Sequence, residues 1–293
     1  MKNKFQVLIL LLICTIPAIA QDEFNGEVSI GTAAGLVNYD GDLQPHSFNY
    51  SRSKPILGLY LRKPLYSWLA VRVGGSLGTI SASDKNNRDY LKYRNLSFQT
   101  SYKELYTGVE FLPFDLERFI LTPYVFGGVA VFRYNPWTID ENQQKVFLQP
   151  LSTEGQGLEE YPERKPYKLT QGALAIAYGV RCALSNYVHI GVEFHQRKTF
   201  TDYLDDVSST YVDYNRLLEF KGQKSVDLAF RADEIDISTP YPPEGEIRGT
   251  AKEKDWVYYL GVTVDVRFTP LTSSIGRIFA KKDPYNRRCP TRF

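Results

Sequence analysis

The sequence predicts an all-β protein, an eight-stranded antiparallel transmembrane β-barrel with long extracellular loops and a periplasmic C-terminal tail. In eight stretches of its 293 residues, apolar side chains alternate with polar or small ones, which is the period of a β-strand. The connections between the stretches are alternately short and long, as in outer-membrane barrels. Aromatic residues make up 14% of the chain, and such residues are enriched where a membrane meets water. A secreted β-sandwich is the alternative.

The first 20 residues predict an export signal. Lys2 and Lys4 precede an apolar run from Val7 to Ile13, and Ala18-Ile19-Ala20 forms a cleavage site of small residues. No later apolar run approaches the roughly 20 residues that a membrane-spanning helix needs. We therefore predict a signal peptide at 1–20, an outer-membrane barrel at 21–269 and a basic periplasmic tail at 270–293.

Charge and cysteine content exclude several classes of protein. Without Lys2 and Lys4, the 35 basic residues fall to 33 and balance the 33 acidic ones, so we expect no nucleic-acid partner. Beyond the signal only Cys182 and Cys289 remain, which excludes a disulfide scaffold and leaves their redox state open.

Alternation is clearest in the last predicted strand. Leu260, Val262 and Val264 share one face there, while Asp265 and Arg267 share the other. The eight predicted strands are Glu27–Tyr39, Pro55–Lys63, Trp68–Ser81, Phe98–Leu112, Phe119–Tyr134, Gln171–Leu184, Val188–Thr199 and Trp256–Phe268. The second is short, and the fifth alternates least cleanly.

Loop lengths predict the orientation in the cell outer membrane. Pro64–Ser67, Pro113–Arg118 and Ser185–Tyr187 are short connections, whereas the others need about 15, 16, 36 and 55 residues. Short turns belong on the periplasmic side, so we expect both termini to be periplasmic. Aromatic residues at the predicted periplasmic ends are Trp68, Phe111, Phe119 and Phe268, and those near the external ends are Phe132, Trp137, Phe194 and Trp256.

The inside of such a barrel is predicted to be closed. Eight strands enclose a lumen that side chains can fill. Charges inside it should pair, because an unpaired buried charge is costly. The inward-facing charged residues that we expect to form this network are Arg72, Glu104, Glu110, Arg181, Glu193, Asp265 and Arg267. A proton or ion path through them is the alternative.

Catalytic signals are weak. Gly74–Gly78 matches the nucleophile-elbow pattern around Ser76, but that pattern needs a strand-to-helix turn and Ser76 lies within a predicted strand. Glu193 and His195 share one face, yet two such groups do not make a metal site. We predict no enzymatic activity and no cofactor; an outer-membrane hydrolase is the minor alternative.

Two segments outside the barrel carry charge. The loop Thr201–Lys254 has 12 acidic and 7 basic residues, and its stretch Ser225–Ile235 looks helical, so we expect it to fold over the barrel. Asp205-Asp206 lacks the spacing of an EF-hand calcium loop, which favours a solvated cluster at a helix start. The tail Leu271–Phe293 has a net charge of +5 and is either a docking arm or a solvated segment that touches anionic headgroups. The candidate partner-binding residues are Arg277, Lys281, Lys282, Arg287 and Arg288 in the tail, and Asp202, Tyr203, Asp205 and Asp206 in the loop.

Three stretches resemble one known family. Arg197–Ser208, Pro150–Gly157 and Pro123–Gly128 look like the PorG-type outer-membrane barrels of the bacterial type IX secretion system. The run Asp-Tyr-Leu-Asp-Asp from Asp202 to Asp206 is the most specific part, and Ser152 stands where the family has glycine. The resemblance implies an accessory barrel that contacts periplasmic secretion-ring proteins and has no catalytic residues. The family also has members with no assigned role.

These observations predict a non-enzymatic structural or docking component of protein secretion, with a lumen plugged by side chains. Its expected partners are outer-membrane lipid and periplasmic secretion-ring proteins. A small-solute channel or ligand-binding outer-membrane barrel is the alternative.

Overall fold

The computed structural model describes residues 27–44, 53–116 and 118–268. The predicted signal peptide and basic tail, with Cys289, lie outside these residues. The strands in chain order are β1 Ser29–Asp40, β2 Lys54–Tyr66, β3 Leu69–Ser83, β4 Ser97–Phe111, β5 Leu121–Arg133, β6 Trp137–Ile139, β7 Lys145–Phe147, β8 Thr170–Ala183, β9 Val188–Thr199 and β10 Trp256–Arg267.

Eight of these strands close into an antiparallel barrel. Neighbours in the sheet follow the order β3-β2-β1-β10-β9-β8-β5-β4, and pairing of β3 with β4 completes the ring. The first and last strands pair from Ser29↔Arg267 to Asp40↔Trp256. Closure gives each barrel strand two neighbours, which matters because lipid tails offer no hydrogen-bond partner to a free strand edge. The prediction of an eight-stranded antiparallel barrel is confirmed.

The outer wall of the barrel is apolar. Leu105 is 73% exposed and Leu57 is 64% exposed, and each is flanked along its strand by inward-facing residues. A continuous apolar surface of this extent is not stable against water in a soluble monomer. The wall therefore faces hydrocarbon, as in a transmembrane barrel. Exposed residues that share this wall include Leu59, Leu61, Val73, Leu77, Val109, Val125, Val129, Val131, Leu174, Tyr178, Val180, Val192, Val262 and Val264.

Two strands differ from what the sequence predicted for them. β2 is not short but runs for 13 residues. β5 alternates regularly, with Tyr124 and Phe126 inside and Val125 outside; Gly127 and Gly128 had hidden the period because neither has a side chain to classify. The expectation that Phe132 marks the external interface is wrong, because it faces the lumen and is 1% exposed.

The connections separate by length onto the two ends of the barrel. The hairpins β2–β3, β4–β5 and β8–β9 are short and lie at one end, where Trp68 and Phe119 are about half exposed. The rings of Tyr66 and Trp68 stack there with centroids 5.5 Å apart. Such exposed aromatic residues are typical of the level where hydrocarbon meets water.

The two longest loops form a folded cap over the other end; we call residues 134–169 and 200–255 the cap. The last loop carries α1, Tyr214–Lys221, and α2, Gln223–Ala229. The sequence indicated α2 but missed α1, and the expected helix ends earlier than Ile235. Leu204, Val207 and Leu228 of the cap share one buried cluster with barrel residues. Among the described residues, no helix is long and apolar enough to cross a membrane.

Candidate functional site

The lumen holds equal numbers of opposite charges. Four arginines and four carboxylates are buried on the inner faces of the strands: Arg62, Arg72, Arg181 and Arg197 with Glu104, Glu110, Glu193 and Asp265. All lie at positions whose strand neighbours point to the outer wall. Because burial of a lone charge is costly, their positions must match in three dimensions as well as in number.

Glu110 is the acceptor for three arginines near the short-turn end. Its carboxylate accepts a hydrogen bond from Arg62 Nε at 2.6 Å and two from Arg181, one of them at 3.2 Å. Arg72 Nη1 lies 3.6 Å from the second carboxylate oxygen. Arg181 also lies 3.2 Å from Asp265. One carboxylate from β4 thereby joins β2, β3 and β8 across the lumen.

Glu193 holds the middle of the lumen. Arg72 donates to both of its oxygens, at 2.5 and 2.9 Å. The hydroxyl of Tyr124 also donates to this carboxylate, and the imidazole of His195 lies against it. The Arg72 guanidinium stands 3.9 Å from the ring centroid of Tyr60. Charge pairing and ring stacking together fill the cross-section at this level.

Glu104 and Arg197 form a third group nearer the cap. Arg197 donates to both Glu104 oxygens at 3.0 and 3.1 Å, and Tyr102 donates to the same carboxylate at 2.9 Å. Both charged residues are buried. Three successive groups of paired charges thus occupy the lumen from the short-turn end toward the cap.

Arg62 and Arg197 belong to the network although they are not among the seven residues predicted for it. The alternation along their strands could have identified both arginines, because the neighbours of each in the strand face lipid. Of the seven predicted residues, six are buried in the lumen, whereas Arg267 is only partly buried at the end of β10. Ser76 is 3% exposed in the middle of β3, without the turn that a nucleophile elbow requires.

Glu154 joins the two loops of the cap. It accepts hydrogen bonds from the backbone amides of Ser208 and Ser209, at 2.9 and 3.0 Å, and from Arg248 at 2.9 Å. Both charged side chains are fully buried or nearly so. Tyr203 donates to the same carboxylate at 3.2 Å.

The Asp-Tyr-Leu-Asp-Asp run is buried inside the cap. Asp206 accepts hydrogen bonds from Thr153 at 2.5 Å and from Tyr167 at 2.6 Å. Asp205 accepts one at 2.6 Å from Tyr39, a residue of β1. The run therefore ties the last loop both to the preceding loop and to the barrel.

Burial corrects two expectations for this run. Asp202, Asp205 and Asp206 are each at most 3% exposed, so they form neither a solvated cluster nor a surface offered to a partner. Among the residues of the described structure, no group of three or more His, Cys, Asp or Glu side chains is placed to hold a metal ion. Tyr203 is partly buried and stacks on Tyr167 with centroids 4.8 Å apart.

Ser152 lies at a turn of the cap whose backbone conformation favours glycine. Its backbone has φ 52°, in the left-handed region that glycine adopts most easily. Glycine is therefore the residue expected at this turn, and the serine adopts the same conformation.

Burial raises the pKa of four carboxyl groups in the cap, those of Asp202, Asp205, Asp206 and Asp255. The pKa of Asp206 is raised to about 6, although the nearby Arg248 opposes the shift, and that of Asp202 is raised to about 7. Burial, with the adjacent charge of Asp205, also holds the pKa of Asp255 well above its usual range.

We expect the cap to loosen as the pH rises from 5 to 8. A carboxyl with a raised pKa stabilises the folded form fully below its unfolded pKa, near 4, and this contribution is lost as the pH passes the folded value. With folded pKa values of about 6 for Asp206 and about 7 for Asp202, the loss begins near pH 4 and its larger part falls between pH 5 and 8. Amide hydrogen exchange of residues 201–212, corrected for the intrinsic rate, measures it. Asp206→Asn removes one titrating group and should flatten the response; greater protection at pH 8 would contradict the expectation.

Other predicted residues take no part in these groups. Cys182 is partly buried in β8 and forms no disulfide within the part of the chain that the structure describes. Arg277, Lys281, Lys282, Arg287 and Arg288 lie outside the described residues.

A closed barrel with an apolar wall, a charge-paired lumen and a folded cap defines the class of eight-stranded outer-membrane barrels. A protein family described as a domain of unknown function, DUF6089, matches residues 2–230, and the chain belongs to this family. No curated protein matches the chain in sequence.

Several solved structures are distantly similar. Neisserial surface protein A has a TM-score of 0.42 and 10% identity, covering 82% of this chain and 97% of that one. Ail of Yersinia pestis, solved with the heparin analogue sucrose octasulfate, has a TM-score of 0.39 and 10% identity, covering 83% and 99%. OprG of Pseudomonas aeruginosa has a TM-score of 0.37 and 11% identity, covering 83% and 97%.

Proposed function

We propose that the chain is a non-enzymatic structural or docking component of protein secretion, of the type IX kind, in the outer membrane. The observation that carries the proposal is the filled lumen. Arg72 and Glu193 pair across its middle, with further ion pairs toward both ends and a folded cap above. A barrel that passes nothing through its lumen acts through what it binds at its ends.

The proposed orientation places the short turns and both termini in the periplasm, as in other outer-membrane barrels. The tail Leu271–Phe293, with its net charge of +5, then faces the periplasm. We propose that it docks on an acidic surface of a secretion-ring protein. The resemblance of the Arg197–Ser208 stretch to PorG-type barrels supports this assignment.

Quantitative proteomics of the culture medium tests the proposal. Deletion of the gene should deplete exported proteins, and a plasmid copy should restore them. A copy with the five predicted tail residues changed to glutamine should reach the outer membrane at normal abundance without restoring export. The substitutions are Arg277→Gln, Lys281→Gln, Lys282→Gln, Arg287→Gln and Arg288→Gln. An unchanged set of exported proteins after deletion would contradict a role in secretion.

Planar-bilayer conductance tests the sealed lumen separately. The purified barrel with both long loops intact is expected to be electrically silent, because its interior charges are neutralised in pairs and its cross-section is filled. Stable single-channel currents would contradict this expectation and favour the small-solute channel.

A further inference from the structure

A basic cavity opens on the cap side of the barrel, outside the lumen. Its volume is about 630 Å³, within the range of pockets that hold small ligands. It lies where β1 and β9 end, where β10 begins and where the loops before β4 and β10 meet. Its lining includes six basic and three acidic side chains. Two of the six basic residues, Arg94 and Arg248, pair with Asp84 and Glu154, which leaves four cations beside Asp40, Asp42 and Glu253.

Two of the lining arginines are held rigidly by buried acids. Arg94 donates to both oxygens of Asp84, at 2.7 and 2.8 Å. Arg248 donates to Glu154 inside the cap. These contacts fix the back wall of the cavity, so its shape is present before any ligand arrives.

The remaining basic residues point outward. Arg88, Lys198, Lys252 and Lys254 line the opening and are exposed. Lysine offers a compact charge that binds phosphate well. These four exposed cations outnumber the three acidic groups of the lining and favour a negatively charged ligand.

The position of the opening identifies the source of that ligand. Lys198 and Trp256 pair across β9 and β10 and belong to the lipid-facing side of these strands. The Lys198 ammonium lies 5.6 Å from the Trp256 ring centroid. Below them, Tyr258 stacks on Trp256 and on Phe194 with centroids 5.9 and 6.0 Å apart. The basic cavity therefore continues into an aromatic strip on the outward side of these strands, in which Trp256 and Phe194 are partly exposed and Tyr258 is 9% exposed.

We propose that this cavity binds the phosphorylated headgroup of an outer-leaflet glycolipid, whose acyl chains lie along the aromatic strip. A soluble anion makes no use of the strip, whereas an amphiphile matches both the cations and the aromatic rings. The proposal depends on the membrane position of the barrel and is independent of any role in secretion.

The test is binding of diphosphoryl lipid A to the refolded full-length barrel in phosphatidylcholine nanodiscs, followed by native mass spectrometry. Neutralising two lysines with Lys198→Gln and Lys252→Gln should weaken binding by about 30-fold, because each surface charge contributes roughly fivefold. The matched control is Lys103→Gln with Lys145→Gln. Lys103 is an outward-facing lysine of β4, and Lys145 lies 4.3 Å from the Trp137 ring centroid, both away from the cavity.

The control should stay within about threefold of wild type, and high salt should weaken wild-type binding. An equal loss in both double variants, or a loss of less than about threefold in the cavity variant, would overturn the proposal. Glucosamine 1-phosphate, which lacks acyl chains, should bind far more weakly than lipid A. Equal binding of that soluble probe, or of lipid A from which both phosphates have been removed, would also overturn it.

Discussion

Replacing Glu110 by glutamine is expected to lower the free energy of unfolding of the barrel by about 3–5 kcal/mol. The Glu110 carboxylate is fully buried and faces the guanidinium groups of Arg62, Arg72 and Arg181. Glutamine keeps the size of the side chain but removes its charge, so three buried cations share less counter-charge. Urea unfolding in lipid vesicles, followed by tryptophan fluorescence, measures the loss.

The matched control is Glu141→Gln, which changes an exposed glutamate in a loop. It should alter the free energy of unfolding by less than about 0.5 kcal/mol. If Glu110→Gln fails to fold, adding Arg62→Met removes one of the buried cations that have lost their counter-charge. The double variant should recover part of the lost stability. If Glu110→Gln lowers the free energy of unfolding no more than the control does, the ion pairs in the lumen do not stabilise the barrel.

Replacing Glu154 by glutamine is expected to open the cap while leaving the barrel folded. The carboxylate accepts from Arg248 and from the amides of Ser208 and Ser209, and it is fully buried. Without this negative charge, Arg248 remains buried inside the cap with no counter-charge on residue 154. This should lower the free energy of local opening of the cap by about 3 kcal/mol. Hydrogen exchange of residues 203–210 measures this change against the barrel strands.

Glu163→Gln is the control within the same loop. Its side chain is 68% exposed and lies 3.6 Å from Arg164, so its removal should cost at most about 1 kcal/mol. Faster exchange throughout β8 and β9 as well as the cap would contradict the separation of cap and barrel. Equal protection in both variants would contradict the role of Glu154.

The barrel strands were predictable because their signal is local. In β10, Val262 and Val264 alternate with Thr263 and Asp265, and such a pattern requires no knowledge of distant residues. The same rule weakened in β5, where Gly127 and Gly128 carry no side chain to classify. It also misplaced Phe132, since parity near a strand end does not show whether an aromatic ring faces lipid or lumen.

The cap was much less predictable. α1 begins after Asp213, whose carboxylate accepts a hydrogen bond from the Arg216 amide at 2.9 Å, but only Leu217 of that helix is buried. A helix with so narrow an apolar face has little periodicity to detect. The acidic run from Asp202 to Asp206 looked solvated because carboxylates are usually exposed. In the folded cap its members instead accept hydrogen bonds from Tyr39, Thr153 and Tyr167.

The sequence by itself determined the number of barrel strands, the face that most of their residues present and the alternation of short and long connections, but not the two short strands β6 and β7 of the cap. Strand period and turn length depend only on residues that are close in the sequence, so they can be predicted from the sequence alone. The tertiary structure alone decided which charges meet. Glu110 and Arg181 are 71 positions apart, and Glu154 and Arg248 are 94 apart. Such partners are set by closure of the barrel and by the packing of its loops.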